Sequence, residues 1–111
     1  MTINGQPDPA ILAEAVARIV RTAHPRRILL FGSAARGEMG PHSDLDFLVI
    51  MPDGIHRRRT AQALHLGMFG LGAAADLVVA TESDLRELGD NRSLVYHDAL
   101  REGREVYRAA S

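Results

Sequence analysis

Three short apolar runs, residues 28–31, 45–51 and 76–80, are separated by stretches whose apolar side chains recur at helical spacing. Runs of this length, rich in β-branched and aliphatic residues and bounded by turn chemistry, predict buried strands. Strands alternating with helices predict an α/β (α+β) fold: two layers, with a small mixed β-sheet and helices packed mainly on one face. With 111 residues the chain predicts a single domain, 1–111, with one core and no room for a second lobe.

Local signals fill in this frame. Asp8 followed by Pro9 is an N-cap with proline at the first helical position. Ile11, Leu12, Val16, Ile19, Val20 and Ala23 then mark one helix face, which ends at His24 because the residue before Pro25 avoids helical geometry. Residues 32–37 form a strand-to-helix turn, and residues 38–43, with Gly40 and Pro41, a loop. After a turn at Pro52-Asp53-Gly54, residues 57–69 predict an amphipathic helix with Ala61, Leu64, His65 and Met68 on one side, broken by Gly70 and Gly72. Thr81 and Asp84 have capping-box spacing, so a helix is expected to follow and to end near Gly89. A last helix over residues 93–102 closes at Gly103, and Val106-Tyr107 predicts a short edge strand.

Composition removes several kinds of chemistry. There is no Cys, so disulfides, thiolate catalysis and cysteine zinc sites are excluded. Every basic residue is Arg, which excludes a P-loop, whose lysine is essential. The formal net charge of -1 supplies no general attraction to nucleic acid. Nothing at the N-terminus has a signal pattern, and residues 66–75 fall far short of the roughly 20 apolar residues of a membrane span, so a cytoplasmic protein is expected.

The chemistry concentrates between residues 31 and 49. Asp44 and Asp46 lie two apart at the start of a strand, where side chains at i and i+2 share a face. Two carboxylates so placed repel each other unless a cation lies between them. Leu45 and Phe47 alternate onto the opposite face and are free to pack on a helix. Asp76 heads the third strand and, with that strand beside the second, joins the same cluster. Three carboxylates make a hard oxygen site suited to magnesium. Two such ions, about 3.5–4 Å apart, can clamp the attacking and leaving oxygens of an in-line displacement. Upstream, Gly32 allows close backbone approach to a phosphate, and the amides that open the next helix have no internal partners. Ser33 adds a hydroxyl and Arg36 a positive charge. Amide donors, a cation and metal ligands thus fall within a short stretch, and phosphoryl chemistry needs mainly such positioning and charge neutralisation.

These residues resemble the minimal nucleotidyltransferases of the DNA polymerase beta superfamily, whose signature is GS-x-x-R-G, a loop, S-D-x-D-x-x-V and a later strand with a third Asp. Gly32, Ser33, Arg36, Gly37, Ser43, Asp44, Asp46 and Val49 match, Asp76 fits the third acid, and the resemblance runs over roughly residues 10–107. It implies a polymerase-beta-like fold in which Asp44 and Asp46 bind both Mg2+ ions, with Mn2+ as a possible substitute. Asp76 would complete the catalytic ion's site and help activate the attacking hydroxyl. Gly32 and Ser33 would hold the β- and γ-phosphates of ATP, with Arg36 and Ser43 as further nucleotide-binding residues. The implied reaction is transfer of a nucleotide, AMP from ATP, to a hydroxyl. Many proteins of this size and motif are antitoxins of type VII-like pairs that modify a tyrosine of a HEPN toxin, so such a toxin is the expected partner. The alternative is a non-catalytic module that neutralises a toxin by contact, through a face such as Ile11, Leu12, Val16 and Ile19.

Simpler readings stand beside these. A bare D-x-D is a solvated strand start, Gly32-Ser33 a tight turn, and Arg36 a surface ion pair. The run Arg57-Arg58-Arg59 reads as a solvated helix start, or as a contact to phosphate or a nucleic-acid acceptor. The five histidines lack ligand spacing, although His42 adjoins the motif. Residues 70–75 fit a dinucleotide fingerprint formally but precede a strand instead of following one, which rules that motif out. Tyr96 and Tyr107 are expected to pack against the sheet.

Overall fold

The computed structural model describes residues 2–3, 5–88 and 95–110. A small N-terminal hairpin, β1 (Thr2–Ile3) and β2 (Gln6–Pro7), leads into α1 (Pro9–Ala23). Then follow β3 (Arg27–Phe31), the short α2 (Gly32–Arg36), β4 (Leu45–Met51), α3 (Arg57–Gly67) and β5 (Ala75–Thr81). The chain closes with α4 (Glu82–Leu88), α5 (Val95–Glu102) and β6 (Arg104–Arg108). Gly89, Ser93 and Tyr96, which carried expectations for the last two helices and for packing on the sheet, lie outside the residues whose structure or side chains are described.

The helix ends follow the local chemistry. Asp8 accepts from the Ala10 amide at 2.9 Å and opens α1 with Pro9 in its first turn. His24 ends that helix in the left-handed region, with φ 50° and ψ 57°. Thr81 and Asp84 form the capping box reciprocally: the Thr81 amide donates to Asp84 Oδ2 at 3.0 Å, and the Asp84 amide donates to Thr81 Oγ1 at 3.1 Å. At the end of α5 the Gly103 amide donates to the Ala99 carbonyl at 2.8 Å. Gly103 is not among the positive-φ glycines; a β-carbon there would run into that carbonyl, so close approach explains the glycine.

Four strands form the main sheet in the order β5-β4-β3-β6. β3 is antiparallel to β4 and to β6, whereas β4 and β5 are parallel. A parallel pair requires a crossover, and α3 supplies it. The edge strand expected at Val106-Tyr107 extends over all of β6. The N-terminal hairpin was not legible as strand, since each arm has only two residues.

Alternation along the strands builds two cores. Ile28, Leu30, Phe47, Val49, Leu77 and Val79 face Ala15 and Ile19 of α1 and Leu64 of α3. This is the larger helix-covered face. On the other side Leu29, Leu48, Ile50 and Ala80 meet Ala99 of α5, with Leu85 of α4 packed against them. The second face is therefore also covered, over part of its area, by the two C-terminal helices. Its uncovered end carries the acidic residues.

Candidate active site

Asp46 is the second residue of β4 and Asp76 the second residue of β5. They are register partners in the parallel pair, so their backbones lie one strand spacing apart, about 4.8 Å. Both point to the face shared by Leu48 and Val78, not to the α1/α3 core. Asp44 precedes β4 and is exposed, as is Asp76; Asp46 is half-buried. Burial raises the Asp46 carboxyl above the ordinary carboxylate range, the nearby charges of Asp76 and Asp44 raise it further, and Arg36 opposes them. Asp46 therefore lies within Coulombic reach of both other acids.

Gly32 follows β3 and turns the chain into α2 with φ 70°. A β-carbon at that position would collide with Asp46 Oδ2. The glycine therefore makes room for the central carboxylate, a role the sequence did not disclose. Ser33 is half-buried, and among the described residues its hydroxyl makes no hydrogen bond. Its carbonyl accepts from the Glu38 amide at 2.9 Å. Because α2 has only five residues, its aligned peptides contribute little dipole to this turn.

Two expected nucleotide-binding side chains have protein partners. Arg36 Nε meets Glu38 Oε1 at 2.6 Å and Arg36 Nη1 meets Glu102 Oε2 at 3.0 Å, so the guanidinium ties α2 to α5. This is the ion-pair reading of Arg36; its charge still reaches Asp46 through space. Ser43 Oγ accepts from the Gly40 amide at 2.9 Å and holds the loop ahead of Asp44. Of the arginine run, Arg57 is paired with Asp84 at 2.7 Å.

Among the described residues, no group of three or more His, Cys, Asp or Glu side chains is closed enough to hold an ion unaided. The donors still fit magnesium: all are hard carboxylate oxygens, and phosphate oxygens and water commonly complete such a shell. A cleft of about 400 Å³ borders the group, lined by Asp44, Ser43 and His42 but not by Asp46 or Asp76. Several of its other walls, Ile11, Met39 and Ala73, were not singled out as site residues, because no sequence spacing connects them.

Comparison with known proteins gives this fold its family. The chain belongs to the nucleotidyltransferase domain family, whose model matches residues 11–104. None of the curated proteins matches it. Among solved structures it is similar to a toxin–antitoxin complex with AMP-PNP, at 23% identity and TM-score 0.57, over 86% of this chain and 72% of that one. It is also similar to the Y-to-A variant of the MntA-HpeT toxin–antitoxin, at 24% identity and TM-score 0.55, over 87% and 72%. A double aspartate-to-glutamate variant of the same pair matches at 21% identity and TM-score 0.55, over 85% and 71%. At such identities the likeness concerns the fold. Among the described residues no helix is long and apolar enough to cross a membrane.

Proposed function

We propose that this protein is a magnesium-dependent nucleotidyltransferase that moves AMP from ATP onto a hydroxyl, acting as the antitoxin of a toxin–antitoxin pair, with a tyrosine of a HEPN toxin as acceptor. The observation that carries the reading is the parallel register of Asp46 and Asp76 beside Gly32. The toxin–antitoxin setting is supported by the similar structures, which are toxin–antitoxin complexes.

Asp44, Asp46 and Asp76 would hold the ions, which would neutralise the phosphate oxygens and the developing charge. The Gly32-Ser33 turn would bind the β- and γ-phosphates through its amides and the Ser33 hydroxyl. Arg36, held by Glu38 and Glu102, acts on the site through its field and by anchoring α2, and Ser43 acts by setting the loop before Asp44. In the transfer, the acceptor oxygen bonds to the α-phosphorus while the bond from that phosphorus to the bridging oxygen breaks. Pyrophosphate leaves, and Asp76 takes the hydroxyl proton.

Incubation with labelled ATP, Mg2+ and the co-expressed partner tests this. Label is expected on the partner with the parent protein and absent with Asp44→Asn. Equal labelling by both would remove the carboxylates from the mechanism.

A second reading, neutralisation by contact alone, is favoured by one observation. Leu12 and Val16, expected on the contact face, line an apolar surface groove with Val20 of α1 and Val106 and Tyr107 of β6, whereas Ile19 is buried in the core and Ile11 lies outside the groove. Full neutralisation by Asp44→Asn would select it.

A further inference from the structure

The Gly32-Ser33 turn and the acids of β4 lie on two pieces of chain joined by residues 37–43, and the N-terminal hairpin rests on the start of that joint. Gly5, in the turn between β1 and β2, closely approaches Gly37, which caps α2. Both have positive φ, 81° and 71°, a region that strains any residue with a side chain. A β-carbon on Gly5 would collide with the Gly37 carbonyl oxygen, and the space that a β-carbon on Gly37 would need holds Gln6 Nε2. Two residues further on, the Met39 amide donates to the Gly5 carbonyl at 2.9 Å.

This contact has a route to each half of the site. Toward α2, the Gly37 amide donates to the Ala34 carbonyl at 3.3 Å and the Glu38 amide to the Ser33 carbonyl at 2.9 Å, so the placement of residues 37 and 38 bears directly on Ser33. Toward β4, the Gly40 amide donates to Ser43 Oγ at 2.9 Å, just ahead of Asp44. Support is needed here, because α2 has five residues and buries only Ala34, far below the roughly 12–15 residues at which a helix begins to hold itself. The ion pair of Arg36 with Glu102 fastens α2 to α5, and the hairpin holds its other end. The hairpin is itself anchored: buried Pro7 leads into Asp8, the cap of α1, whose Ala15 and Ile19 lie in the core.

Resting on the functional reading above, we infer that Gly5 and Gln6 are positioning residues, and that the hairpin is a brace that sets the Gly32-Ser33 turn against the acids through Gly37. They act through α2 and the joint, without touching substrate. A misplacement of about 1 Å can lower a rate about a hundredfold, so a rigid backbone contact at the end of α2 has leverage on the phosphates.

The test is steady-state transfer by Gly5→Ala and Gln6→Ala at a temperature well below every Tm, with amide NMR on the same samples. Gly5→Ala forces the backbone of residue 37 to move. It is expected to raise KM for MgATP about tenfold, to leave KM for the acceptor within about twofold, and to shift the Ser33 and Asp44 amides. Gln6→Ala adds no backbone strain and is expected to raise KM for MgATP about threefold; it carries the test alone if Gly5→Ala does not fold. A purely structural role would lower the apparent kcat through loss of folded protein and leave both KM values unchanged. That pattern, an equal rise in both KM values, or Ser33 and Asp44 amides that stay in place would each overturn the inference. Failure of the transfer reading has a different signature: labelling by the parent that does not depend on Asp44. The brace is then judged by the Ser33 amide and by titration with MgATP, whose binding Gly5→Ala is expected to weaken about tenfold; unchanged binding would overturn it.

Discussion

Gly32 and Asp46 share one space: the carboxylate of Asp46 occupies the position that a β-carbon on residue 32 would need. Gly32 also has positive φ, a conformation costly for any other residue. Gly32→Ala is expected to destabilise the fold by about 1–3 kcal/mol and to displace Asp46, so that metal-dependent transfer falls together with stability. Urea unfolding and a transfer assay on the same sample check this. Stability within about 0.5 kcal/mol of the parent would show that the turn relaxes without consequence.

Asp46 itself opposes the fold in the absence of a cation. Its carboxylate is half-buried and repelled by Asp76 and Asp44. Asp46→Asn is therefore expected to raise Tm by a few degrees while abolishing transfer, the trade expected of a site residue retained for function. Thermal unfolding of both proteins without metal gives the comparison. A lower Tm in the variant would mean that the carboxylate contributes net stabilising contacts.

Binding of the substrate complex should reverse that penalty. MgATP is expected to raise the Tm of the parent in a concentration-dependent way, as any ligand of the native state does, and to leave Asp44→Asn nearly unmoved. A thermal-shift series at fixed Mg2+ reads this directly, and identical shifts in the two proteins would place nucleotide binding away from the acids.

Asp84 sets an acid limit. Its carboxyl is held below the ordinary carboxylate range by the Thr81 amide, and next by Arg57. A carboxylate with a depressed folded pKa contributes stability above its unfolded pKa and loses it as pH falls through the folded value. Asp84→Ala is expected to cost about 1 kcal/mol at neutral pH, with the difference from the parent vanishing at the acid end of the carboxylate range. Chemical denaturation from pH 7 downward follows it; a difference that grows on acidification would contradict the capping role.

Arg36 separates two roles that sequence could not. Glu38 and Glu102 hold its guanidinium, so Arg36→Gln is expected to loosen α2 against α5 and to lower the transfer rate more than it raises KM for ATP. Steady-state kinetics distinguish the outcomes: a large KM increase with an unchanged rate would mean that the arginine leaves its glutamates to grip a phosphate.

Much of this architecture is legible in the chain because its signals are local. The Asp8 cap, the His24 stop, the Thr81/Asp84 box and the strands around Phe47 and Leu77 depend on neighbours a few residues away, and the structure has them where those neighbours predict. What stayed hidden depends on distant partners. The second core needs Ala99 against Leu48. The ion pair of Arg36 needs Glu102. Walls such as Met39 and Ala73 meet only after the sheet has formed. The steric reason for Gly32 was equally out of reach, since a glycine at a turn looks the same whether it admits a phosphate or a neighbouring carboxylate.

The parallel pairing of β4 with β5 also bears on how such sites are found and altered. Asp46 and Asp76 are aligned by hydrogen-bonded register, and the intervening helix and loops only have to carry the chain back to the same end of the sheet. Lengthening or trimming that excursion should leave the acids side by side, whereas slipping either strand by one residue would turn its acid to the opposite face. The distance along the chain to the third acid is thus a weak marker, and strand phase is the quantity a designer would have to preserve.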